Sequence, residues 1–246
     1  MPTDCAPPPL FSLSVVSHGQ AHLVRNLLSD LEQLRPLNFE VLVTVNIAED
    51  ESGYTARNYP LSVVRNPQPM GFGANHNAAF SRSQGRLFAV VNPDVRAPKL
   101  ELNLLACAFD EPRTGACAPL VLNSLGAVQD SARRFPTVGR LVRRVLLGRS
   151  DPDYTWTDGA RNVDWVAGMF IVFRREAFKQ VNGFDARRFF MYYEDVDVCE
   201  RMRHSGWEVR LQPATSVIHD AQRASHRNLQ HLRWHLTSAL RYLTGM

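Results

Sequence analysis

The order of its apolar segments is the feature of this sequence that most constrains its fold. Short runs rich in β-branched residues alternate with segments whose apolar residues recur at helical spacing, as in "FSLSVVSHG" followed by "HLVRNLLSDLEQL". This alternation is typical of a mostly parallel sheet with helices on both faces. With 246 residues, 45% of them apolar, the chain can form one such α/β domain around a buried core.

The sequence predicts a single domain over residues 10–246, preceded by a flexible, proline-rich tail over residues 1–9. The longest apolar run, at 165–173, is much shorter than the ~20 residues of a membrane-spanning helix, and the N-terminus lacks the blocks of a signal peptide. We therefore expect a cytoplasmic chain. The net charge of +4 favours an anionic partner, which could be a nucleic acid, an anionic lipid or a phosphorylated small molecule.

A glycine turn, "NPQPMGFGANHN" at residues 66–77, precedes a predicted helix. Gly71 and Gly73 allow backbone amides to approach a ligand, and the helix N-terminus favours a phosphate. The turn matches part of the dinucleotide-binding GxGxxG pattern, with Asp94 at the distance of a ribose-binding acid, but the last position is His76. A Rossmann dehydrogenase and a plain tight turn therefore remain as alternatives.

Two residues of metal-ligating type follow predicted strands. Asp94, in the tripeptide Asn92-Pro93-Asp94, closes a nearly all-apolar strand, and His219 ends the last strand. In an α/β sheet the carboxyl ends of the strands border the ligand crevice, so Asp94 could bind a divalent cation there and His219 could complete the site. A turn-capping aspartate and a histidine without a metal are the simpler alternatives.

An acidic cluster opens a late predicted helix, in "MYYEDVDVCERM" at residues 191–202. Glu194, Asp195 and Asp197 directly follow an aromatic segment, "RFFMYY" at residues 188–193. Residues two apart on a helix point in different directions, so the acids should have separate roles. One could act as a general base in a crevice, and another could pair with Arg201 or cap the helix. The helix dipole favours acids at this end and explains about two of the three.

In this order, the segments resemble an inverting family 2 glycosyltransferase of the GT-A fold over nearly the whole chain, from "SVVSHG" to "VIHD". Residues 163–209 resemble the acceptor half of bacterial rhamnosyltransferases that assemble surface polysaccharides such as O-antigen and cell wall. The glycine turn and "VVNPDV" resemble the donor half. The resemblance implies a GT-A domain with its donor half over about 10–100, its acceptor half over about 101–220 and a C-terminal helix over about 226–243.

The resemblance also implies a role for each candidate residue. Asp195 would be the catalytic base with Glu194 beside it, and Asp197 would be mainly structural. Asp94 and His219 would hold Mg²⁺ or Mn²⁺ against the donor diphosphate. The acceptor site would include Trp165, Gly168 and Tyr193. The donor site would include Ser17, Asn46, Asp50, Asn66, Gly71, Phe72, Gly73, Asn75, Asn92 and Asp94.

The implied reaction moves a sugar, L-rhamnose by this resemblance, from a dTDP- or UDP-linked donor to a glycan or a lipid-diphosphate-linked acceptor. One departure concerns the nucleobase. Relatives carry "DNxSxD" after the second strand, whereas this chain has "VNIAED", with Val45 in place of the first aspartate. A catalytically silent GT-A domain that binds a nucleotide or a sugar is therefore the alternative function.

The arginine-rich stretch at 133–149 and the C-terminal helix could rest on an anionic membrane, which would place the chain at the inner face of the cell membrane. A solvated loop and an ordinary packed helix are the alternatives. Nucleic acid is not an expected partner, because the arginine stretch lacks an aromatic stacking pattern or a known motif.

Overall fold

The structure is a computed structural model that describes residues 8–35, 38–137, 139–140, 153–154, 159–219 and 229–245. Most of the predicted tail and much of the arginine-rich stretch lie outside these residues. The predicted C-terminal helix is described from Leu229 onward.

The first part of the chain alternates strands and helices, as its apolar pattern predicts. The elements in order are β1 (Phe11–Ser17), α1 (Ala21–Leu31), β2 (Phe39–Val45), β3 (Leu61–Arg65), α2 (Phe72–Phe80) and β4 (Leu87–Val91). β1, β2 and β4 are buried almost throughout, which is characteristic of parallel strands covered on both faces. In α1 the buried residues recur at helical spacing and form one face against the sheet.

The second part has shorter elements and two further long ones. They are β5 (Val95–Arg96), α3 (Leu102–Cys107), a 3-10 turn (Ala108–Asp110), β6 (Thr114–Leu122), β7 (Ala132–Arg133), β8 (Arg161–Val163), β9 (Trp165–Val166), β10 (Phe170–Arg174), α4 (Arg175–Gln180), α5 (Glu194–His204), β11 (Glu208–His219) and α6 (Leu229–Thr244). None of the helices in the described part of the chain has the length and apolar character that crossing a bilayer requires.

The main sheet has the order β3-β2-β1-β4-β10-β6-β11-β5, with β8 paired to β11. The pairings from β3 to β4 and between β6 and β11 are parallel, whereas β10 lies antiparallel between β4 and β6. The predicted fold class, a mostly parallel sheet flanked by helices, is confirmed. Because Phe170 of β10 pairs with Val91 of β4, the chain just before β10 lies at the carboxyl end of β4.

The core lies on both faces of this sheet. Along β4, Leu87, Ala89 and Val91 belong to one buried cluster, while Phe88 and Val90 belong to the other. This two-residue period is that of a strand whose side chains point alternately to opposite faces. Helices α4 and α5 cover the second cluster, so α5 begins near the sheet edge where β4 ends.

The glycine turn packs against the chain that leads into α5. A Cβ atom on Gly73 would lie 2.7 Å from the Cβ of Phe184, and one on Gly71 would lie 2.5 Å from the carbonyl oxygen of Phe190. That carbonyl accepts the amide N–H of Phe72 at 3.0 Å. The amide of Phe72 is therefore engaged within the protein, and the approach of a ligand to this turn stays a prediction. At Gly71 and Gly73, close packing within the protein accounts for the absence of a side chain.

We predict that Gly73→Ala destabilises the protein by about 1–3 kcal/mol, because its methyl group would overlap Phe184 in a packed region. Urea denaturation of both proteins measures the difference. Gly159→Ala is the control, since no atom of the described residues lies within 4 Å of a Cβ atom placed there. Equal unfolding midpoints for Gly73→Ala and the wild type would contradict the packing explanation.

Candidate active site

Two backbone N–H groups connect the end of β4 with the start of α5. The amide of Asn92 donates to the carbonyl of Met169 at 2.9 Å, which extends the β4–β10 ladder by one residue. The amide of the preceding residue, Gly168, donates to Oδ2 of Asp195 at 2.9 Å. The strand end that carries Asp94 and the helix start that carries Asp195 are therefore joined through residues 168–169.

Asp195 is partly buried and is held by backbone donors. Its Oδ2 accepts the Gly168 bond, and its Oδ1 accepts the amide N–H of Val196 at 2.9 Å. Burial raises the pKa of Asp195 above its ordinary value, while the two N–H donors and the positive charge of Arg133 partly offset that rise. Each oxygen keeps lone pairs for a further donor, so Asp195 can accept a proton from a hydroxyl group.

Glu194 is buried in a different environment. Its Oε2 has no hydrogen-bond partner within the described residues, and the side chain is 6% exposed. Burial, and then the negative charge of Asp195, raise the pKa of Glu194 to about 8. Near neutral pH, Glu194 therefore holds a proton.

The two carboxyl groups differ in their hydrogen-bond donors. Burial raises the pKa of both, but Asp195 accepts N–H bonds from Gly168 and Val196, which favour its ionised form, whereas Oε2 of Glu194 has no partner among the described residues. When two neighbouring acids differ in this way, the ionised one is suited to act as a base. The expectation of separate roles for the clustered acids agrees with these environments.

The chain enters α5 through two residues in the left-handed region. Tyr192 and Tyr193 have φ values of 72° and 69°, which are unusual for large side chains and cost about 1–3 kcal/mol each. The Tyr192 hydroxyl contacts Nδ1 of His231 at 2.9 Å, and the Tyr193 ring lies 5.5 Å from the rings of His235 and Tyr242. Helix α6 therefore supports the strained turn, and the Tyr193 ring predicted to bind the acceptor packs against this helix.

Asp197 has a structural environment. Its Oδ1 accepts from Arg188 at 2.9 Å and its Oδ2 accepts from Arg201 at 2.7 Å, and both pairs are partly buried. The predicted pairing of Asp197 with Arg201 is confirmed. Arg188 also donates to the carbonyl of Arg241, so the pair links α5, the aromatic segment and α6.

Asp94 and His219 meet at the carboxyl ends of their strands. Nε2 of His219 lies 3.3 Å from Oδ2 of Asp94, while Oδ1 of Asp94 is buried with no hydrogen-bond partner in the described part of the chain. On its other side, His219 contacts Gln129. Among the residues that the structure describes, no group of three or more His, Cys, Asp or Glu side chains is arranged to hold a metal. The available set is one carboxylate and one imidazole, with a buried carboxylate oxygen left for a further partner.

Three asparagines form a network beneath the glycine turn. Oδ1 of Asn46 accepts the amide of Met70 and the side chain of Asn66, both at 2.8 Å. Asn66 also donates to Oδ1 of Asn75 at 2.6 Å, and Asn75 donates to the carbonyls of Met70 and Gly71. These predicted donor-binding residues are brought together, and the bonds fix the position of the turn relative to β2.

Val45 stands where relatives carry the first aspartate after the second strand, and the structure shows which groups lie near it. Val45 is buried in the core, and Asp50 is exposed and pairs with Arg25 at 3.3 Å. The carboxylate beside Ser17 belongs instead to Glu49, whose Oε2 accepts the Ser17 hydroxyl at 2.8 Å and whose Oε1 accepts the Tyr54 hydroxyl at 2.7 Å. Asp50 is therefore separated from the other donor-side candidates.

The acceptor-side candidates lie around Gly168. A Cβ atom on Gly168 would lie 3.4 Å from Phe72 and 3.6 Å from Asp195, so the turn, the glycine and the acid are adjacent. Trp165 of β9 pairs with Arg133 of β7, and its indole N–H donates to the carbonyl of Arg134 at 3.0 Å. Trp165 is thus fixed in a small two-stranded sheet close to Asp195.

Two polar residues at the site escaped the sequence reasoning. Gln129 contacts His219 across 90 residues of sequence, and no local pattern marks it. Glu49 stands between two candidates that were considered, Asn46 and Asp50, and only the structure shows which acid turns toward Ser17.

Comparisons with known proteins agree with this geometry. Residues 12–181 match the family model for glycosyl transferase family 2, and residues 159–229 match the model for the N-terminal domain of galactosyltransferase. The N-acetylglucosaminyl-diphospho-decaprenol L-rhamnosyltransferase of Mycobacterium tuberculosis is 36% identical over 165 residues, which are 63% of this chain and 53% of the relative. This chain thus spans about half the length of that relative. Rhamnosyltransferase WbbL of Escherichia coli strain K12 is 28% identical over 93% of this chain and 90% of its own length.

Solved structures share the fold at lower identity. GalNAc-T7 with UDP, GalNAc and Mn²⁺ superposes with a TM-score of 0.67 at 15% identity, over 88% of this chain and 44% of that one. A mannosyltransferase from Pyrobaculum calidifontis in complex with GDP-Man and Mn²⁺ has a TM-score of 0.62 at 19% identity, over 96% and 65% of the two chains. These similarities establish the architecture.

We predict that Glu194→Gln flattens the pH dependence of stability. Because folding raises the pKa of Glu194 from its ordinary range to about 8, the native state binds the extra proton, and stability falls as the pH rises from about 5 to 8. The variant removes this loss. Its free energy of unfolding at pH 8 should exceed that of the wild type by about 1 kcal/mol or more, since one pKa unit corresponds to ~1.4 kcal/mol.

Urea denaturation at pH 5, 6.5 and 8 measures the effect. Glu176→Gln, at an exposed position on α4, is the control and should keep the wild-type slope. If stability falls equally with pH in Glu194→Gln and the wild type, Glu194 is not the buried protonated group.

Proposed function

The chain belongs to glycosyl transferase family 2, and we propose that it transfers L-rhamnose, with inversion, from a nucleotide-diphosphate donor to a lipid-diphosphate-linked glycan. Membership of this family excludes the dehydrogenase alternative. The choice of sugar rests on the relatives named above, two of which are rhamnosyltransferases by name. The lipid-linked acceptor rests on the name of the mycobacterial relative.

One observation carries the catalytic part of the proposal: Gly168 donates a hydrogen bond to Asp195 directly beside the residue that pairs with Asn92. This contact brings a partly buried carboxylate to the strand end that carries Asp94. In an α/β sheet this edge borders the ligand crevice, so an acceptor hydroxyl at Asp195 would also lie near the donor diphosphate.

In the proposed reaction, Asp195 accepts the proton of the acceptor hydroxyl. That oxygen then bonds to the anomeric carbon as the bond to the nucleotide diphosphate breaks, and the configuration inverts in one step. A single base suffices, because no covalent sugar intermediate forms. The raised pKa of Asp195 makes it a stronger base than an exposed aspartate, and protonated Glu194 adds no second negative charge near the incoming hydroxyl.

Asp94 and His219 fit a divalent cation, Mg²⁺ or Mn²⁺. Oδ1 of Asp94 is buried with no partner among the described residues, and Nε2 of His219 faces Oδ2 of the same carboxylate. When bound, such a cation would neutralise charge on the diphosphate leaving group. Both related structures named above contain Mn²⁺ together with a nucleotide or a nucleotide sugar.

The proposed donor side binds a dTDP- or UDP-linked sugar. It is formed by residues 17, 46, 66, 71–73, 75 and 92, and Asp50 lies at its periphery. We assign Trp165 and Gly168 to the acceptor side, where the indole offers an apolar face to a sugar ring. Tyr193 belongs to this side through its backbone turn, since its ring packs on α6.

Helix α6 provides the proposed membrane contact. Leu232, Leu236, Leu240 and Leu243 are exposed along one side of the helix. The helix sequence contains Arg233 and Arg241 and no acidic residue, which favours an anionic bilayer. On the opposite face of α6, the Trp234 ring lies 5.0 Å from the ring of Phe190, whose carbonyl bonds to the glycine turn, so this face packs toward the active site while the leucines stay exposed. A lipid-linked acceptor held in the bilayer would reach Asp195 from this side.

We predict that Asp195→Asn lowers sugar transfer by at least about 10²–10⁴-fold, because the general base is lost while the shape of the side chain is kept. The assay supplies dTDP-rhamnose and UDP-sugars with Mn²⁺ and a polyprenyl-diphosphate-linked N-acetylglucosamine acceptor. Asp110→Asn, at an exposed site outside the crevice, is the matched control and should retain wild-type activity.

The same assay separates the enzyme from the silent-domain alternative. Donor binding by calorimetry without turnover of any donor by the wild type would support the silent domain and overturn the proposed reaction. Full activity of Asp195→Asn would overturn the assignment of the base.

We predict that replacing Leu232, Leu236 and Leu240 together with Asn lowers binding to anionic phospholipid vesicles by on the order of tenfold or more, because an apolar face would no longer enter the bilayer. Vesicle co-sedimentation measures the bound fraction. Leu125→Asn is the control, since Leu125 is 90% exposed in a turn elsewhere. Wild-type binding no stronger to anionic than to neutral vesicles would contradict the proposed contact.

A further inference from the structure

We infer that Gln129 is a positioning residue that fixes the ring of His219 in the form needed to ligate the cation. The inference rests on the proposed function, in which Asp94 and His219 hold a divalent metal, and adds to it a residue outside the family resemblance. It follows from two hydrogen bonds between the side chain of Gln129 and a single residue.

The orientation of the Gln129 amide is determined by the protein backbone. Its Nε2 lies 2.8 Å from the carbonyl oxygen of His219, which can only accept, so this atom must be the NH₂ group. The other amide atom, Oε1, then faces Nδ1 of His219 at 3.1 Å. Both polar ends of the glutamine are therefore directed at His219, one at its backbone and one at its ring.

The amide oxygen selects one tautomer of the imidazole. An oxygen acceptor at Nδ1 requires a proton on Nδ1, because a neutral ring carries its single N–H on one nitrogen and a lone pair on the other. In the neutral ring the lone pair is then on Nε2. Nε2 is the atom that faces Oδ2 of Asp94 at 3.3 Å, so the lone pair points to the place where the carboxylate could share a cation.

When the His219 ring is neutral and no metal is bound, Asp94 offers Nε2 no hydrogen-bond donor. With Nδ1 protonated, Nε2 and Oδ2 are both acceptors and offer each other no hydrogen bond. A divalent cation would satisfy both atoms, and it could also use Oδ1 of Asp94, which has no partner within the described residues. A histidine ligand that donates its second ring N–H to an oxygen is the usual support of a metal site, and loss of that support lowers metal affinity by about 10–100-fold.

The backbone around Gln129 is held in place, which makes this support rigid. Its amide donates to the carbonyl of Val121 in β6 at 2.8 Å, and its carbonyl accepts the amide of Ser131 at 2.8 Å. β6 pairs in parallel with β11, which ends at His219. The glutamine is thus bonded to the strand that neighbours the one ending at His219.

Two variants of Gln129 separate positioning from a general structural role. Gln129→Met keeps the approximate length and removes both hydrogen bonds. Gln129→Glu keeps an oxygen acceptor for Nδ1 and removes the NH₂ donor. The ring tautomer of His219 is read in the metal-free protein by ¹H–¹⁵N correlation NMR above pH 7.5, with the signal assigned by comparison with His219→Ala. Mn²⁺ affinity is measured by calorimetry in the presence of UDP or dTDP.

We expect the wild type and Gln129→Glu to carry the ring proton on Nδ1, and Gln129→Met to lose that preference. The Kd for Mn²⁺ should rise about tenfold or more in Gln129→Met, while Gln129→Glu keeps or exceeds the wild-type affinity. Gln180→Met is the matched control, because Gln180 is an exposed glutamine at the end of α4 and bonds to Trp207. It should change neither the tautomer nor the affinity.

The outcomes distinguish this inference from the proposed function. If the wild type binds Mn²⁺ and Gln129→Met binds it within about twofold, or shows the same tautomer, the role of Gln129 is overturned and the metal site stands. If the wild type binds no Mn²⁺ in the presence of either nucleotide, the metal part of the proposed function is overturned.

Discussion

The active-site arrangement depends on one hydrogen bond, from the amide of Gly168 to the carboxylate of Asp195. The acid is partly buried, and hydrogen-bond donors favour the ionised form of such a carboxylate by compensating for the loss of water. The compensating donor is part of the chain that continues into β10, which is antiparallel to β4. The same bond therefore stabilises the charge of the acid and fixes the start of α5 at the end of the strand that carries Asp94.

The surroundings of this bond combine rigidity with strain. Tyr192 and Tyr193 adopt backbone conformations that side chains of their size rarely take, and they bring Glu194 and Asp195 into the crevice. The cost is offset by contacts on three sides: the rings pack on α6, Phe190 bonds to the glycine turn, and Asp197 pairs with Arg188 and Arg201. The acids of α5 thus divide into Asp195, which accepts two backbone N–H bonds, Glu194, which holds a proton, and Asp197, which connects elements.

Much of this architecture could be predicted from the sequence, because strands such as β1 and β4 and helices such as α1 carry clear apolar periods. The residues at strand ends, Asp94 and His219, could be predicted for the same reason, since position in an α/β sheet determines which residues reach the crevice. The sequence could not show why residues 71 and 73 must be glycines, because the side chains and backbone they pack against are more than a hundred positions away. Gln129 and Glu49 were missed because each acts through one long-range hydrogen bond partner, and a single polar residue in a loop leaves no periodic signal.

The support that α6 gives to Tyr192 and Tyr193 has a consequence for how chains of this type can be shortened. β11 is the last strand of the sheet, and a truncation just after it would leave every strand in place. It would also remove His231, His235 and Tyr242, and with them the partners of the two tyrosine rings. The truncated protein would keep its sheet, but the backbone at Tyr192 and Tyr193 would relax and Asp195 would move. Such a protein could fold correctly and still hold its catalytic base in the wrong position.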